Sequence, residues 1–205
     1  MASSFISKLP KVERQELLDD LNYLNISEIK SFCTRHSIPY RIAIETKDGR
    51  RRMTRDDDRK GVILDRIRHF LQTGAILPET YFRASVVCFD QLSGHITADD
   101  KLFYGQYDKT NRTMTSLLKS LTDGQFEHGA IARILARDFW SSGKAPTFRD
   151  YANAWMRASR EHLRPNPEWA FLSDRASKGA VRDWKKLRKQ KAVKVMEVLH
   201  QITSG

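Results

Sequence analysis

The chain has 205 residues, of which 40% are hydrophobic and 30% are charged, so it is long enough for one ordinary domain or two small ones. This composition excludes a chain that is disordered throughout, and every apolar run is shorter than the roughly 18–20 residues that cross a bilayer. The net charge of +11 favours polyanionic partners. An anionic membrane surface is the less favoured of these, because the apolar stripe of the basic last helix is narrow and no lipidation signal accompanies it.

The N-terminal segment and the cysteine content favour a reducing compartment. Residues 1–8 lack the apolar core of a secretory signal. Cys33 and Cys88 are far apart in the sequence and each has apolar neighbours, which favours reduced, buried thiols over a disulfide. We therefore expect a cytoplasmic protein.

The spacing of apolar residues predicts three helices in the first part of the chain. The first covers about Val12–Leu24, the second about Ser27–His36 with Ser27 as its N-cap, and the third about Asp57–Leu71. Between the second and third helices, Arg41–Glu45 is predicted to be extended, and Asp48-Gly49 is predicted to form a turn.

This order of elements resembles the SAP-type helix–extended loop–helix module. Besides the two helices, the likeness rests on the connection between them and on a Lys60-Gly61 step into the third helix. The residues that carry it are Ile38-Pro39-Tyr40-Arg41, Lys47-Asp48-Gly49-Arg50-Arg51-Arg52 and Val62-Ile63-Leu64-Asp65-Arg66-Ile67. Proteins with this module usually use it to hold DNA, so the resemblance implies a small DNA-binding module at residues 1–75.

The rest of the chain is predicted to be a linker followed by a helical domain. Residues 76–95 are the least regular stretch and predict the linker. The predicted helices beyond it cover about Arg112–Leu121, Glu127–Trp140, Phe148–Arg160 and Lys178–Ile202. We therefore expect a mainly α protein in which the SAP-like module is followed by a helical domain at 96–205 that ends in a long basic helix.

This helical domain also carries a resemblance. Over residues 95–158 it is similar to a small bacterial domain of unknown function that tends to follow a SAP-type module. The scattered matching residues are Ile96-Thr97-Ala98-Asp99, Tyr107-Asp108-Lys109, Arg112-Thr113, Phe126 and Ala152-Asn153-Ala154-Trp155. The likeness implies a bacterial or phage protein and an architecture, but no reaction.

The connection between the second and third helices is the first candidate nucleic-acid surface. Its guanidinium groups can bind phosphate oxygens bidentately, which lysine cannot do. The candidate residues are Arg41, Lys47, Arg50, Arg51, Arg52 and Lys60. The alternative is a solvated hairpin tip whose arginines are offset by Asp48 and by the acidic run Asp56–Asp58.

The last helix is the second candidate surface. Its basic residues are Arg182, Lys185, Lys186, Arg188, Lys189, Lys191 and Lys194, and its apolar stripe is Trp184, Leu187, Val195, Val198 and Ile202. We expect Lys185, Lys186, Arg188 and Lys189 to contact phosphate. The alternative is a surface helix whose stripe packs on the helical domain and whose charge only solubilises the protein.

Catalytic and metal-binding patterns are weak, so we expect no catalytic residue, metal or cofactor. Cys33 and His36 have ligand spacing on one helix but no second pair, and the other histidines occur singly. Asp99 and Asp100 leave a metal-dependent nuclease as a third reading. Most aromatic residues are expected in the core, with base stacking as the alternative: Trp140, Phe148, Tyr151, Trp155, Trp169 and Phe171.

The sequence as a whole favours a non-enzymatic DNA-binding accessory or regulatory protein. The basic residues form no pattern that would read base edges, so we expect contacts to the phosphate backbone of double-stranded DNA with weak sequence preference. The alternative is a protein-interaction adaptor, in which the helical domain binds a partner and the basic surfaces meet acidic protein.

Overall fold

The computed structural model describes residues 4–92, 95–162 and 178–204, and the fold is mainly α, as the sequence predicts. The helices are α1 (Lys11–Asp20), α2 (Ile26–Arg35), α3 (Lys60–Thr73), α4 (Arg112–Ser120), α5 (Ala130–Ser141), α6 (Phe148–His162) and α7 (Lys178–Thr203). The strands are β1 (Arg41–Glu45), β2 (Arg51–Asp57) and β3 (Tyr81–Phe82), in the sheet order β2-β1-β3. Within the described ranges, each helix is too short or too polar to span a lipid bilayer.

The chain divides into two compact units. The first comprises the described parts of Met1–Arg41, Asp57–Glu79 and Pro167–Gly205, and the second those of Ile42–Asp56 and Thr80–Asn166. This division differs from the expected one at residues 75 and 95. The β1–β2 hairpin belongs to the second unit although both neighbouring helices belong to the first, and α7 belongs to the first unit.

A hydrophobic core explains why α7 belongs to the first unit. Side chains from α1, α2, α3 and α7 pack into one buried cluster, in which α7 supplies Ala192, Val195, Leu199 and Ile202. The last helix therefore packs on α1 within its own unit, whereas the sequence pattern assigned it to the helical domain at 96–205. Trp184 and Leu187, which the helical spacing also placed on the apolar stripe, are exposed.

The helix ends in the first unit show where capping differs from the expectation. Asn25, and not Ser27, is the N-cap of α2: its side chain accepts a hydrogen bond from the Glu28 amide, and the Glu28 carboxylate accepts one from the Asn25 amide. α3 begins at Lys60, later than the expected Asp57, because Asp56 and Asp57 still belong to β2. α3 ends at Thr73, two residues beyond the predicted Leu71.

The second unit contains a strand where a linker was expected. β3 pairs with β1 in parallel, with Ala43 opposite Tyr81 and Ile44 opposite Phe82. Ile44 and Phe82 are fully buried in the core of this unit. A strand of two residues has too little length to show alternation, so the sequence pattern could not reveal it.

The helices α4 and α6 of the second unit begin at side-chain caps. The Asn111 side chain accepts a hydrogen bond from the Met114 amide at the start of α4. The Thr147 hydroxyl accepts one from the Asp150 amide at the start of α6. α5 and α6 pack together, and the buried Tyr151 hydroxyl donates to the carbonyl oxygen of Ala132 at 2.6 Å.

Candidate nucleic-acid interface

A tight turn presents the basic residues between β1 and β2. The Thr46 amide donates to the Arg50 carbonyl, and the Gly49 amide donates to the Thr46 carbonyl, both at 2.9 Å. Gly49 has a φ of +77°, in the left-handed region that glycine adopts at little cost. The Thr46 hydroxyl donates to the Asp48 carboxylate and thereby lowers the pKa of Asp48. The turn is therefore closed by its own polar groups.

The cations on this turn are almost fully solvated. The side chains of Lys47 and Arg50 are 89% and 86% exposed. Lys47 Nζ lies 3.8 Å from an Asp90 carboxylate oxygen, and Arg50 Nε lies 3.1 Å from one of Asp48. Ion pairs at this exposure contribute little free energy, so an incoming phosphate can compete for both cations.

The other predicted arginines of this segment lie beside aromatic rings. The guanidinium carbon lies 5.7 Å from the ring centroid for Arg41 and Tyr40, 5.2 Å for Arg51 and Tyr81, and 5.6 Å for Arg52 and Phe89. Such cation–π contacts restrict the guanidinium group without cancelling its charge. These arginines are therefore partly ordered while remaining cationic and exposed.

The acidic run after the hairpin has other partners than the hairpin arginines. Asp56 accepts a hydrogen bond from the Tyr104 hydroxyl at 2.6 Å in the second unit. In the first unit, Asp57 pairs with Lys30 at 2.8 Å, and Asp58 pairs with Arg66 at 3.0 Å. The three carboxylates thus each hold a group outside the turn, which weakens the interpretation of the hairpin as a self-neutralised tip.

Lys60 and Arg188, predicted for separate surfaces, come together in the first unit. Lys60 Nζ donates to the Asn22 carbonyl at 2.6 Å, and Arg188 pairs with Glu28 and donates to the Tyr23 carbonyl, both at 3.2 Å. Burial, followed by the charge of Arg188, lowers the pKa of Lys60, while Glu28 opposes this shift. Both cations are therefore engaged within the protein at the N-terminal end of α2.

The remaining cations of α7 separate into two groups. Lys191 and Lys194 face α1, where they pair with Asp20 at 2.8 Å and Glu16 at 2.9 Å. Three other lysines are exposed, and the structure shows no ion pair between them and a described carboxylate: Lys185, Lys186 and Lys189. Their spacing of three and four positions brings them to one side of the helix. We call these three residues the lysine row; Lys194 is also exposed but is paired with Glu16. The Arg182 side chain lies outside the described residues.

A groove in the second unit gathers further arginines around aromatic side chains. It has a volume of about 650 Å³ and lies between β2, α5 and the two paired segments that carry Phe89 and Gly105. The residues that line it include Arg52, Arg55, Arg133, Arg137, Phe89, Tyr104 and Trp140. We call this site the arginine groove.

Sequence reasoning missed most of this groove. Arg133 and Arg137 are four positions apart on α5, a spacing that places both on one face together with Ala136 and Trp140. That spacing was visible in the sequence, but nothing in the sequence indicated that β2 would lie against this face.

The predicted core role of the aromatic residues is confirmed where they are described. Trp140, Phe148, Tyr151 and Trp155 are buried, and Trp140 Nε1 donates to the Leu102 carbonyl at 3.0 Å. Trp169 and Phe171 lie outside the described residues. In this unit the ring of Phe89, 54% exposed, is available for stacking instead.

The residues considered for metal binding have other partners. Asp99 binds Arg149, with 3.2 Å between Oδ1 and Nη2, and Asp100 accepts hydrogen bonds from the amide and the hydroxyl of Thr97. Cys33 is buried, and burial raises the pKa of its thiol to about 12, which disfavours the thiolate that a metal would need. No group of three metal-ligating side chains occurs among the described residues.

Of the two histidines of the second unit whose burial the structure describes, His128 is half-buried and His95 is exposed. Its Nδ1 lies 3.0 Å from the Tyr107 hydroxyl and its Nε2 lies 2.9 Å from the Thr115 hydroxyl. The Thr115 hydroxyl donates to the Asn111 carbonyl, so His128 donates through Nε2 and accepts through Nδ1. This arrangement directs the Thr115 proton away from the histidine and fits a structural role.

Comparison with known proteins gives no match: no family model, curated protein or solved structure is significantly similar to the chain.

The predicted cationic residues lie in both units. In the second unit, the hairpin brings Lys47 and Arg50–Arg52 together, and Arg52 also lines the arginine groove. In the first unit, Lys60 and Arg188 meet at the start of α2, and the lysine row lies on α7. Arg41 is the last residue of its segment of the first unit.

Proposed function

We propose that the protein binds double-stranded DNA mainly through the phosphate backbone, as a non-enzymatic accessory or regulatory factor with weak sequence preference. The observation that carries this proposal is the engagement of Asp56, Asp57 and Asp58 by Tyr104, Lys30 and Arg66. With Asp48, these carboxylates were the candidates to neutralise the hairpin. They hold other groups, whereas Asp48 pairs with Arg50 in an exposed ion pair that contributes little free energy.

The physical basis is counterion release. Each phosphate that a cation neutralises releases condensed ions from DNA, so binding becomes tighter and more sensitive to salt. Lys47, Arg50 and Arg52 are exposed and can reach phosphates without first breaking a buried contact. The lysine row on α7 is a second set of exposed cations that can reach phosphates in the same way.

The SAP-like interpretation of the N-terminal part belongs to the same proposal. Two helices, α2 and α3, pack together in the first unit, and an extended segment connects them. This connection is a β-hairpin that belongs to the second unit, and in this respect it differs from a simple extended loop. The helix pair supports the resemblance, and the hairpin adds the cationic surface to it.

The decisive experiment replaces Arg50, Arg51 and Arg52 together with alanine. Fluorescence anisotropy with a labelled DNA duplex is measured over a range of salt concentrations. We expect weaker binding to all sequences alike and a salt slope reduced by about 2 to 3, since each lost phosphate contact removes about 0.9.

A matched control removes the same charge from another exposed part of the second unit. Lys109, Arg112 and Lys119 lie on and next to α4, are exposed and are replaced with alanine in the control variant. Equal losses in the two triple variants would show that net charge alone drives binding. Unchanged affinity and slope in the hairpin variant would contradict the proposal.

The adaptor alternative is favoured by one specific observation. Trp184 and Leu187 are 38% and 45% exposed on α7, next to the lysine row, and large apolar side chains beside cations suit an acidic protein surface. A complex with an acidic protein that persists after nuclease treatment, together with no affinity for duplex, would favour the adaptor over DNA binding.

A further inference from the structure

The arginine groove differs from the hairpin surface because it encloses space. Its volume of about 650 Å³ lies within the range of about 300–1,000 Å³ typical of small-ligand sites. The buried side chains of Tyr104, Ala136 and Trp140 form its floor. Ala136 is the small residue among them, which leaves room above α5.

The charge of this groove is strongly positive. Arg52 and Arg55 approach it from β2, and Arg133 and Arg137 from α5. None of the four arginines forms an ion pair with a residue that the structure describes. The one carboxylate in the lining, that of Asp56, already accepts a hydrogen bond from the Tyr104 hydroxyl. Burial, followed by this hydrogen bond, raises the pKa of Tyr104. The occupant must therefore be anionic.

The groove also presents a fixed aromatic ring. Phe89 is 54% exposed, although large apolar side chains are normally covered. Its ring packs against Gly105, where an added Cβ would lie 2.7 Å from Cδ1 of the ring, and it lies edge-on to Tyr104 at 6.0 Å between ring centroids. The Arg52 guanidinium lies 5.6 Å from the same ring. A planar group and a phosphate can thus be held next to each other.

We propose that the arginine groove binds an unpaired nucleotide of a nucleic-acid strand, with its base against Phe89 and its phosphates on the arginines. This inference rests on the proposed function, because it names what the second unit adds to duplex binding. A base inside a duplex has both faces covered by its neighbours, so only an unpaired base can stack on Phe89. The protein therefore prefers duplexes with a single-stranded extension to blunt ones.

The test compares a blunt DNA duplex with the same duplex carrying a single-stranded oligothymidine tail, using the full chain and fluorescence anisotropy. Phe89→Leu keeps an apolar side chain but removes the stacking ring, and Phe89→Tyr keeps the ring. We expect Phe89→Leu to reduce affinity for the tailed duplex by about tenfold and to change affinity for the blunt duplex by less than about twofold, the small change coming from the lost ring contact with Arg52. Phe89→Tyr should bind both as the wild-type protein does. Thermal melting checks that both variants are folded.

A second variant tests the anionic part of the site. Arg133→Gln together with Arg137→Gln should lower affinity for the tailed duplex and reduce its salt slope, whereas Phe89→Leu should leave the slope unchanged.

The outcomes separate this inference from the proposed function. If Phe89→Leu binds the tailed duplex as tightly as wild type, or loses affinity for tailed and blunt duplexes alike, the groove does not hold an unpaired nucleotide. Blunt-duplex binding that still depends on Arg50–Arg52 would then leave the proposed function standing. If the wild-type protein binds neither duplex but captures an acidic polypeptide, both proposals fail.

Discussion

Arg66 and Asp58 form an ion pair inside the first unit, with 3.0 Å between Nη2 and Oδ2 and with side chains that are 6% and 3% exposed. The same guanidinium donates through Nε to the Pro78 carbonyl at 3.0 Å and through Nη1 to the Pro39 carbonyl at 3.2 Å. Asp58 also accepts a hydrogen bond from the Arg59 amide at 2.8 Å. One arginine of α3 thus fixes the chain segments that precede β1 and β3.

Breaking this pair should be costly, because it leaves the remaining charge buried without its partner. We expect Asp58→Asn and Arg66→Met each to reduce the free energy of unfolding by about 3–5 kcal/mol. Urea denaturation followed by circular dichroism measures the change. The double variant should lose less unfolding free energy than the sum of the two single losses, since no charge remains unpaired in it. A loss below about 1 kcal/mol for Asp58→Asn would show that water reaches the pair.

A second prediction concerns Gly105, whose φ of +95° lies in the left-handed region. A Cβ there would lie 2.5 Å from the Cys88 carbonyl oxygen, a rigid backbone atom. Gly105→Ala should therefore cost about 1–3 kcal/mol of unfolding free energy and displace the Phe89 ring.

Gly49→Ala is the matched control for this substitution. Gly49 also has a positive φ, but a Cβ there would meet no atom within 4 Å. We expect a loss of about 1 kcal/mol or less from backbone strain alone. Equal losses at the two glycines in thermal or urea denaturation would mean that the contact with Cys88 and Phe89 has no energetic role.

The third prediction concerns pH. Burial lowers the pKa of His128, the charges of Lys109 and Lys119 add to this effect, and Asp108 opposes it. Burial also lowers the pKa of His36. In the unfolded chain both histidines titrate near pH 6.5, so below that value the unfolded state binds more protons than the folded state. The contribution of these two histidines to stability is therefore fully present above about pH 6.5 and is lost as the pH falls further.

Replacing His128 with glutamine, which can still donate and accept hydrogen bonds, removes one of the two titrating groups. The urea midpoint of the variant should change less between about pH 7.5 and pH 5.5 than that of the wild-type protein. Parallel pH profiles would assign the acid sensitivity to other groups.

The helices could be predicted because their patterns are local. The Asn111 and Thr147 caps and the long periodic segment that became α7 depend on residues within a few turns of one another. The sequence could not show that α7 joins the first unit, since its apolar stripe fits any apolar surface of similar width. It also could not show the partners of the acidic run. Tyr104 is 48 positions from Asp56, Lys30 is 27 from Asp57, and Arg66 is 8 from Asp58, so only the fold brings these groups together.

The candidate site likewise has features that are visible in the local sequence and features that only the tertiary contacts decide. A dense run such as Arg50–Arg52 is recognisable as cationic from the sequence alone. Whether a cation is available depends on tertiary contacts: Lys60 is occupied by the Asn22 carbonyl, whereas the lysine row on α7 remains exposed. The arginine groove combines β2 with α5, two elements far apart in the sequence, so only the fold reveals it.

The fourth prediction uses two neighbouring residues of α7 to separate a stabilising cation from a binding cation. Arg188 is half-buried and holds Glu28 and the Tyr23 carbonyl, whereas Lys189 is exposed. Arg188→Ala should lower the free energy of unfolding by about 1–3 kcal/mol, because Glu28 loses a charged hydrogen-bond partner in a half-buried position. Lys189→Ala should change it by less than about 0.5 kcal/mol.

In DNA binding the order of the two variants should reverse. Lys189→Ala should weaken duplex binding and reduce the salt slope by about 0.9, because an exposed lysine is lost from the phosphate-facing row. Arg188→Ala, measured where it is fully folded, should keep the wild-type slope, because in the wild-type complex the Arg188 guanidinium stays paired with Glu28 and neutralises no phosphate. If Arg188→Ala lowers the slope as much as Lys189→Ala, then DNA displaces Glu28 and the paired arginine belongs to the binding surface after all.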